Sequence, residues 1–322
     1  MAKLLDFEKP ISELYDKIDA LRRLSHKGDV DLSDEIKKIE KRAQKLREDI
    51  YKNLSSSQIV QIARHVDRPD TLSLCALICD EWLELHGDRA FRDDPSIVGG
   101  LAQIGDSHVV IIGHQKGHDT KENIYRNFGM PYPEGYRKAL RLMKLAEKFK
   151  LPLVTFIDTP GAYPGMQAEE RGQAEAIARN LKEMALLGIP IITFILGEGG
   201  SGGALALGVS NKVYMLEYAI YSVISPEGCA SILFHDASKA SFAAENLKLT
   251  AKDIVNLNVA DGIITEPLGG AHQDWEAIAK NIKAQILVDL GAYKKVSASK
   301  IRDERYTKFR QMGRFHGTHA PI

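Results

Sequence analysis

The segment that decides the fold is Gly197-Glu-Gly-Gly-Ser-Gly-Gly-Ala204, which lies between two apolar runs, residues 191–196 and 204–207. Six of the chain's 26 glycines fall between Gly197 and Gly208. Because glycine lacks a Cβ atom, such a cluster lets the main chain approach a ligand closely and point successive N–H groups at one place. A flexible linker would not be confined between two apolar runs. We therefore interpret the segment as a tight turn between a buried strand and a short helix.

A second loop of the same kind precedes this segment. Residues 153–157 predict a buried strand, and the loop Asp158-Thr-Pro-Gly-Ala-Tyr-Pro-Gly165 follows it. Residues 168–187 then predict a helix that leads back to the next strand, at 191–196. Strands that alternate with helices in this way indicate an α/β fold with a largely parallel sheet. Loops at the carboxyl ends of such strands present ligands, so both loops are candidate site segments.

The same alternation continues on both sides of these loops. Residues 97–104 and 108–112 predict a β-hairpin that turns at Gly105-Asp106. Residues 113–134 predict a long surface loop, and loops of that length are usually functional or bind a partner. The remaining predicted elements are a helix at 136–150, strands at 213–217, 220–224 and 262–265, helices that begin near 226 and 250, and a helix at 274–290. Residues 87–290 are therefore predicted to form one α/β domain.

The two ends of the chain differ from this domain. Residues 1–86 predict an N-terminal helical extension, because apolar residues recur at spacings of three and four. Its first two helices are predicted to form an antiparallel hairpin. Two shorter helices follow, the second ending near residue 86. Residues 291–322 predict a basic, mobile tail.

Composition excludes several classes of function. The 322 residues carry 43 basic and 43 acidic side chains, so no overall positive field favours nucleic acid or an anionic membrane. The longest apolar stretch, residues 186–196, is too short to span a bilayer. Acidic Asp6 and Glu8 interrupt the start where a secretory signal would be apolar, so we expect a cytoplasmic protein. Three cysteines and the spacing of the histidines predict no metal site.

The glycine-rich segment also matches two other motifs. Gly197-x-Gly199-x-x-Gly202 is the spacing of a dinucleotide-binding turn, with Glu217 as a possible ribose ligand, but the predicted helix is too short for that fold. Gly199-Gly-Ser201-Gly-Gly203 fits the nucleophile turn of α/β serine hydrolases. Its triad would need an acid and then a histidine downstream; Glu245 or Asp253 with His272 could serve, but neither pair has a local signature. Both alternatives remain open at this point.

A third interpretation uses the main chain alone. Neighbouring N–H groups at the start of a short helix can stabilise an oxygen that gains negative charge during a reaction. Loss of one such donor costs on the order of 3 kcal/mol of transition-state stabilisation in known enzymes. A backbone oxyanion hole of this kind requires no nucleophilic side chain.

Five motifs in order resemble one known family. They are Gly197-Glu-Gly-Gly-Ser-Gly-Gly-Ala-Leu-Ala206, Phe156-Ile-Asp-Thr-Pro-Gly-Ala-Tyr-Pro-Gly165, Glu169-Glu-Arg-Gly-Gln173, Arg126-Asn-Phe-Gly-Met130 and Ser222-Val-Ile-Ser-Pro-Glu-Gly-Cys-Ala230. Together they resemble the carboxyltransferase alpha subunits of bacterial multi-subunit acetyl-CoA carboxylases. The resemblance runs from Leu5 to about His272 and departs from the family after about residue 290. It implies a crotonase-like ββα spiral core.

The resemblance also implies a reaction and its residues. The family transfers a carboxyl group from carboxybiotin to acetyl-CoA, giving malonyl-CoA for fatty acid biosynthesis. By motif match, the amides of Gly202 and Gly203 would bind the ureido oxygen of biotin. The other predicted cleft residues are Gly199, Gly200, Ser201 and Ala204 in the same segment, and Gly161 and Ala162 in the preceding loop.

Partners are likewise implied by the family. It uses a beta subunit in an α2β2 heterotetramer, a biotin carboxyl carrier protein and a biotin carboxylase. No biotin is expected on this chain itself, since the sequence has no biotin-accepting hairpin. Whether Lys116, Lys121 or Arg126 contacts CoA is left open. A scaffold of crotonase shape without activity is the alternative outside the enzymes, and it would not need the glycine donors.

Overall fold

The computed structural model describes residues 5–27 and 32–313. The helices are α1 (Lys9–Lys27), α2 (Ser33–Lys52), α3 (Ser56–Ala63), α4 (Thr71–Ile78), α5 (Thr120–Tyr125), α6 (Pro133–Phe149), α7 (Met166–Glu170), α8 (Gln173–Leu186), α9 (Ser201–Leu205), α10 (Pro226–Phe234), α11 (Ala240–Leu247), α12 (Ala251–Asn256), α13 (Trp275–Tyr293) and α14 (Ala298–Gln311). The strands are β1 (Glu81–Glu84), β2 (Ile97–Ile104), β3 (Ser107–His114), β4 (Leu153–Thr159), β5 (Ile191–Gly200), β6 (Lys212–Leu216), β7 (Ile220–Ser222) and β8 (Gly262–Ile264). Within these residues no helix is both long and apolar enough to cross a membrane.

The strands form one mixed sheet in the order β1-β2-β3-β4-β5-β6-β8. β1, β2 and β3 pair antiparallel, and the strands from β3 to β8 along this path pair parallel. The hairpin predicted at Gly105 is confirmed, since Ile104 faces Ser107 and Gly105 has φ of +58°. The predicted α/β class with a largely parallel sheet is therefore confirmed.

Strand β5 changes its neighbour along its length. Residues 192–195 pair with β6, whereas residues 198–200 pair with β7. β4 also shifts register between Ile157 and Thr159, where Thr159 meets Gly199. The part of the glycine-rich segment predicted as a loop, Gly197 to Gly200, is thus the second half of a long strand. Because β4 and β5 are adjacent and parallel, the loops that follow them lie at the same edge of the sheet.

The core lies around the central strands. Every residue of β4 is buried, and residues 191–199 of β5 are buried as well, as expected for parallel strands covered on both faces. α6 packs on β2 and β3 through an apolar face that includes Leu142, Met143 and Ala146, and it also packs against α8. The sheet and these helices hold the carboxyl ends of β4 and β5 in fixed positions.

The two N-terminal helices pack antiparallel, as predicted. Arg22, late in α1, forms an ion pair of 2.8 Å with Glu40 of α2. Glu8, just before α1, accepts a hydrogen bond of 2.7 Å from the hydroxyl of Tyr51 near the end of α2. The connection between the helices, residues 28–31, lies outside the described residues. Tyr51 also donates to the carbonyl of Gly269, which ties the hairpin to the α/β body.

Two predicted helices are wrong in part. Residues 81–84, predicted to continue the last helix of the extension, form strand β1, because Cys79 ends α4 in extended backbone and the chain then pairs with β2. The helix predicted over 168–187 is divided into α7 and α8, because Gly172 adopts φ of +81° between them. Periodicity alone did not detect either change of backbone direction.

The predicted mobile tail is also wrong for residues up to 311. α14 docks on α8 and buries both Ile301 and Arg305. Arg305 is only 1% exposed, and its guanidinium donates to the carbonyls of Met184, Leu187 and Ile189 at 2.6, 2.8 and 2.7 Å. It also donates to Oδ1 of Asn211. The rest of the predicted tail, residues 314–322, lies outside the described residues.

Candidate functional site

The turn from β5 into α9 is built on close main-chain contacts. A Cβ atom on Gly200 would lie 2.2 Å from the carbonyl oxygen of Pro160, and one on Gly203 would lie 2.7 Å from the amide nitrogen of Ala162. Between them Ser201 adopts φ of +52°, an uncommon conformation for a residue with a side chain. The two candidate loops therefore touch through their main chains, and only glycine fits at positions 200 and 203.

Two N–H groups of this turn lack an acceptor. Within the described residues, neither Gly202 nor Gly203 donates its N–H to a backbone or side-chain oxygen. The first N–H groups of any helix have no partner inside the helix. Gly203, however, is buried, and buried N–H groups are almost always paired. The turn thus holds two donors that only a ligand, water or a partner could satisfy.

Gly202 differs from its neighbours in what surrounds it. A Cβ atom there would meet only the side chain of Ile177, at an ordinary contact distance of 3.6 Å. Neither packing nor a positive φ requires glycine at this position. One remaining reason for glycine at position 202 is that a ligand can approach the main chain closely there.

The preceding loop forms one wall of the site. Gly161 has φ of +148°, and its N–H donates to Oγ1 of Thr159 at 3.0 Å. The same hydroxyl donates to the carbonyl of Gly161 at 2.9 Å. Since the Gly161 N–H is already hydrogen-bonded to Thr159, it stabilises the conformation of the loop and is not available to a ligand. The structure brings Gly161 and Ala162 against Gly203, as the sequence predicted them to share a cleft.

A shallow cavity of about 250 Å³ opens beside Ser201. Its lining is mainly apolar and consists of Ser201, Leu205, Tyr221, Ser222, Val223, Ile254 and Val259. Val223 is 76% exposed, so this wall is open at the surface. The cavity offers an apolar surface next to the N–H groups of the turn.

A chain of ion pairs lies beneath the two loops. Nζ of Lys116 lies 2.8 Å from Oδ1 of Asp158 and 2.9 Å from Oε2 of Glu198. Arg64, the residue after α3, continues the chain from Glu198, at 2.7 Å, to Glu227 of α10, at 2.8 Å. Sequence reasoning missed Arg64, Glu198 and Glu227, because no local spacing connects residues so far apart in the chain.

These pairs set the charge states of the groups. Burial acts to lower the pKa of Lys116, but the carboxylates of Asp158 and Glu198 outweigh it and raise the pKa above its ordinary value. Burial acts to raise the pKa of Glu198, but Lys116 and Arg64 outweigh it and lower that pKa. Lys116 is therefore charged and already paired. Its ammonium is committed to carboxylates of its own chain, which argues against a role in CoA binding.

The two other candidates for a contact with CoA, Lys121 and Arg126, lie close to Lys116 along the chain. Arg126 donates to the carbonyl of Pro95 at 3.0 Å, and Lys121 is exposed on α5. The predicted long loop contains α5 and a short 3₁₀ turn, Asn127–Gly129, so it is more ordered than the sequence indicated.

Two buried side chains lie behind the turn. His114 is fully buried, and burial together with the charge of Lys116 lowers its pKa to about 3, an effect that the carbonyls of Phe156 and Gly203 only partly offset. The imidazole is therefore neutral at neutral pH. The hydroxyl of Tyr136 lies 3.0 Å from where a Cβ atom of Gly203 would be. These side chains fix the rear of the turn without adding charge.

The residues proposed for a hydrolase triad lie in other environments. The ring of His272 stacks on His65, with centroids 3.9 Å apart. Glu245 accepts hydrogen bonds from Ser56, and Asp253 from Thr250. None of them bonds to Ser201, whose hydroxyl has no hydrogen bond within the described residues.

The dinucleotide alternative also loses its support. α9 has only five residues, as the sequence indicated, and Glu217 accepts the N–H of Glu266 at 3.2 Å. A crossover helix that could bind a pyrophosphate at this turn is therefore missing from the site.

Solved structures that share this fold include a transcarboxylase and a geranyl-CoA carboxylase subunit. Transcarboxylase 12S, with methylmalonyl-coenzyme A and methylmalonic acid bound, superposes with a TM-score of 0.59 over 81% of this chain and 46% of that chain, at 20% identity. The beta subunit of geranyl-CoA carboxylase from P. aeruginosa gives a TM-score of 0.55 over 77% and 46%, at 17% identity. At such identities the likeness establishes the fold. The fold is therefore that of the crotonase-like class.

Sequence similarity narrows this class to one family. The chain belongs to the acetyl co-enzyme A carboxylase carboxyltransferase-like family, whose sequence model matches residues 4–313. It is 58% identical over 312 residues to the acetyl-coenzyme A carboxylase carboxyl transferase subunit alpha of Geobacter metallireducens, which covers 97% of this chain and 98% of the relative. The match extends past residue 290, so the expectation that the C-terminal segment departs from the family is wrong.

Proposed function

We propose that this chain catalyses carboxyl transfer from carboxybiotin to acetyl-CoA, giving malonyl-CoA for fatty acid biosynthesis. The observation that carries the proposal is the pair of N–H groups at Gly202 and Gly203, which have no acceptor in the described chain. Family membership and the carboxyltransferase fold support the reaction class. A scaffold without activity would not need glycine at position 202, where neither packing nor a positive φ requires it.

The chemistry assigned to this chain is electrostatic. Biotin on a partner would supply the ureido group to which the carboxyl group is attached. As that carboxyl group leaves as CO2, negative charge would develop on the ureido oxygen, and the N–H groups of Gly202 and Gly203 would donate to it. The ureido nitrogen would then take a proton from the methyl carbon of acetyl-CoA, and the resulting enolate would form the new bond to CO2. Fixed donors stabilise such charge without reorganising during the reaction. A ureido oxygen fits this donor set, since a planar acceptor can approach a turn whose first residues carry no Cβ at positions 202 and 203.

The other cleft residues have supporting roles. Gly199 and Gly200 bring β5 against β7 and the loop after β4, and Ser201 makes the turn. Ala204 is buried inside α9 and holds that helix against the sheet. Gly161 and Ala162 form the opposite wall. The apolar cavity beside Ser201 would receive the rings of biotin.

The reaction requires partners. A subunit of this family functions with a beta subunit, which we propose binds most of the CoA in an α2β2 assembly. A biotin carboxyl carrier protein would deliver the carboxyl group, after a biotin carboxylase has loaded it. The helical extension is proposed to contact neighbouring subunits. Location in the cytoplasm stays a prediction.

The test removes one donor. Gly202→Pro lacks the N–H, and proline is tolerated in the first turn of a helix. In complex with the beta subunit, we expect malonyl-CoA formation to fall about 100- to 1000-fold, the usual cost of one oxyanion donor. Gly202→Ala keeps the N–H and has room for its Cβ, so a far smaller loss is expected. Wild-type turnover in Gly202→Pro, with assembly intact, would reject the site assignment.

A further inference from the structure

The ammonium of Lys116 joins the ends of the two strands that carry the site loops. Asp158 lies near the carboxyl end of β4, just before the loop that follows it, and Glu198 lies in β5, four residues before Gly202. Nζ lies within 2.9 Å of a carboxylate oxygen on each. We propose that Lys116 is a positioning residue for carboxyl transfer, which sets the separation of the two loops and thereby the direction of the N–H groups of Gly202 and Gly203. The inference rests on the proposed function.

The contacts around Asp158 make this separation sensitive to the ammonium. Oδ1 of Asp158 accepts from Lys116 and also from the N–H of Glu198, both at 2.8 Å. A Cβ atom on Gly197 would lie 2.7 Å from that same oxygen. The carboxylate therefore lies directly against the main chain of β5. Any movement of Asp158 displaces the strand that leads into the turn.

The electrostatics require a cation at this point. The side chains of Asp158 and Glu198 are 9% and 11% exposed, so water screens them poorly. Two carboxylates that share a buried site repel each other, and a cation between them offsets that repulsion. Arg64 lies on the far side of Glu198 and is shared with Glu227, so it cannot replace Lys116 between the two strands. His114 is neutral and supplies no charge.

The expected consequence is a loss of rate with little loss of binding. Small displacements of groups that act in a transition state reduce the rate by as much as about 100-fold. In Lys116→Met, the two carboxylates separate and the N–H groups lose their alignment. We expect kcat to fall about 10- to 100-fold while KM for biotin changes little.

The charge mechanism predicts a pH effect that a packing role would not produce. Burial acts to raise the pKa of Glu198, and Lys116 is one of the two cations that outweigh burial and lower it. In Lys116→Met, Glu198 therefore takes up a proton more readily as pH falls, which removes the repulsion, so activity relative to wild type should rise as pH falls. The charged groups that face the pair from other elements, Arg64 and Glu227, remain in place. The double variant Lys116→Met with Glu198→Gln removes the repulsion at all pH values. It should recover part of the lost kcat and lose the pH effect.

A more exposed lysine in contact with two carboxylates serves as the control for the loss of an ion pair away from the site. Nζ of Lys144 on α6 also joins two carboxylates, Glu147 at 3.6 Å and Glu183 of α8 at 2.5 Å. Lys144 contacts the two helices that precede β4 and β5, so it lies toward the amino ends of these strands and away from the site loops. Lys144→Met should keep wild-type kcat and pH dependence.

The experiment measures decarboxylation of malonyl-CoA with free biotin as the acceptor, using each variant assembled with the beta subunit. Gly202→Pro is measured in parallel. If Gly202→Pro is inactive while Lys116→Met shows wild-type kcat, only the Lys116 proposal is overturned. If Gly202→Pro is fully active, the proposed function of the turn fails. Failure of Lys116→Met to fold or assemble, without recovery in the double variant, would assign Lys116 to stability alone and also overturn the proposal.

Discussion

Two helix ends in this molecule treat their unpaired backbone groups in opposite ways. At the carboxyl end of α8, carbonyl oxygens of Met184, Leu187 and Ile189 accept hydrogen bonds from the buried guanidinium of Arg305. At the amino end of α9, the N–H groups of Gly202 and Gly203 have no acceptor among the described residues. Every helix end has such groups. The chain itself supplies donors to the first end, whereas the second end keeps the N–H groups that we propose bind a ligand.

The difference is also one of residue type. Arginine offers five N–H donors in a planar group, enough for several carbonyls in one buried place. Glycine at the other end removes side chains, so that donors stay open at the turn. The charge of Arg305 is retained at neutral pH, because burial lowers its pKa only to about 10.

The largest expected effect on stability comes from removing the guanidinium that donates at the carboxyl end of α8. Arg305→Met leaves the three carbonyls and Oδ1 of Asn211 without their donor. Each unpaired buried acceptor costs roughly 1–3 kcal/mol, partly recovered where water enters, so we expect a loss of about 3–5 kcal/mol in the free energy of unfolding. The shift of the urea midpoint, followed by circular dichroism, measures it.

Arg305→Lys serves as the control for charge without the planar donor group. Its free energy of unfolding should lie between those of wild type and Arg305→Met, because an ammonium has three donors and cannot reach all the same carbonyls. If Arg305→Met unfolds at the wild-type urea concentration, the view of this end as structurally essential is wrong.

A third helix end sharpens the comparison because it responds to pH. Asp70 caps α4 by accepting the N–H of Ser73, and Nε2 of His118 lies 2.9 Å from its other carboxylate oxygen. Nδ1 of His118 bonds to the carbonyl of Val66, so both nitrogens face acceptors. The hydrogen bond to Asp70 raises the pKa of His118 to about 9, although burial opposes it.

The direction of the pH effect follows from this raised pKa. The contribution to stability is complete below the ordinary imidazole pKa of 6.5 and is lost as pH rises through about 9. After allowance for the part of the side chain in water, we expect wild type to lose about 1 kcal/mol more than His118→Asn over that window. Urea midpoints at several pH values measure it, and parallel curves for the two proteins would contradict the prediction.

The smallest expected effect concerns the side chain at the open end. Ser201→Ala should leave malonyl-CoA formation near the wild-type rate, because the hydroxyl is not bonded to a base and only the neighbouring N–H groups act. Removing a serine nucleophile would instead reduce kcat about a millionfold. Steady-state turnover of the assembled enzyme distinguishes the two.

The parts of the fold that depend on near neighbours were predictable. The hairpin at Gly105, the buried strands before both loops and the antiparallel pairing of α1 with α2 all follow from patterns within a few residues. The sequence also predicted that Gly161 and Gly203 share a cleft, and the main chains of their two loops are in contact. The strand at 81–84 was missed, since pairing with β2 and not local periodicity decides its backbone.

By itself the sequence determined the alternation of strands and helices, the glycine-rich turn and the family to which the chain belongs, because these are written in residues close together. Tertiary structure alone decided that Arg305 is buried, that Lys116 joins Asp158 to Glu198, and that β5 changes partner between residues 195 and 198. A charged side chain has the same local pattern whether it faces water or a set of carbonyls. Only the fold determines which of these surrounds it.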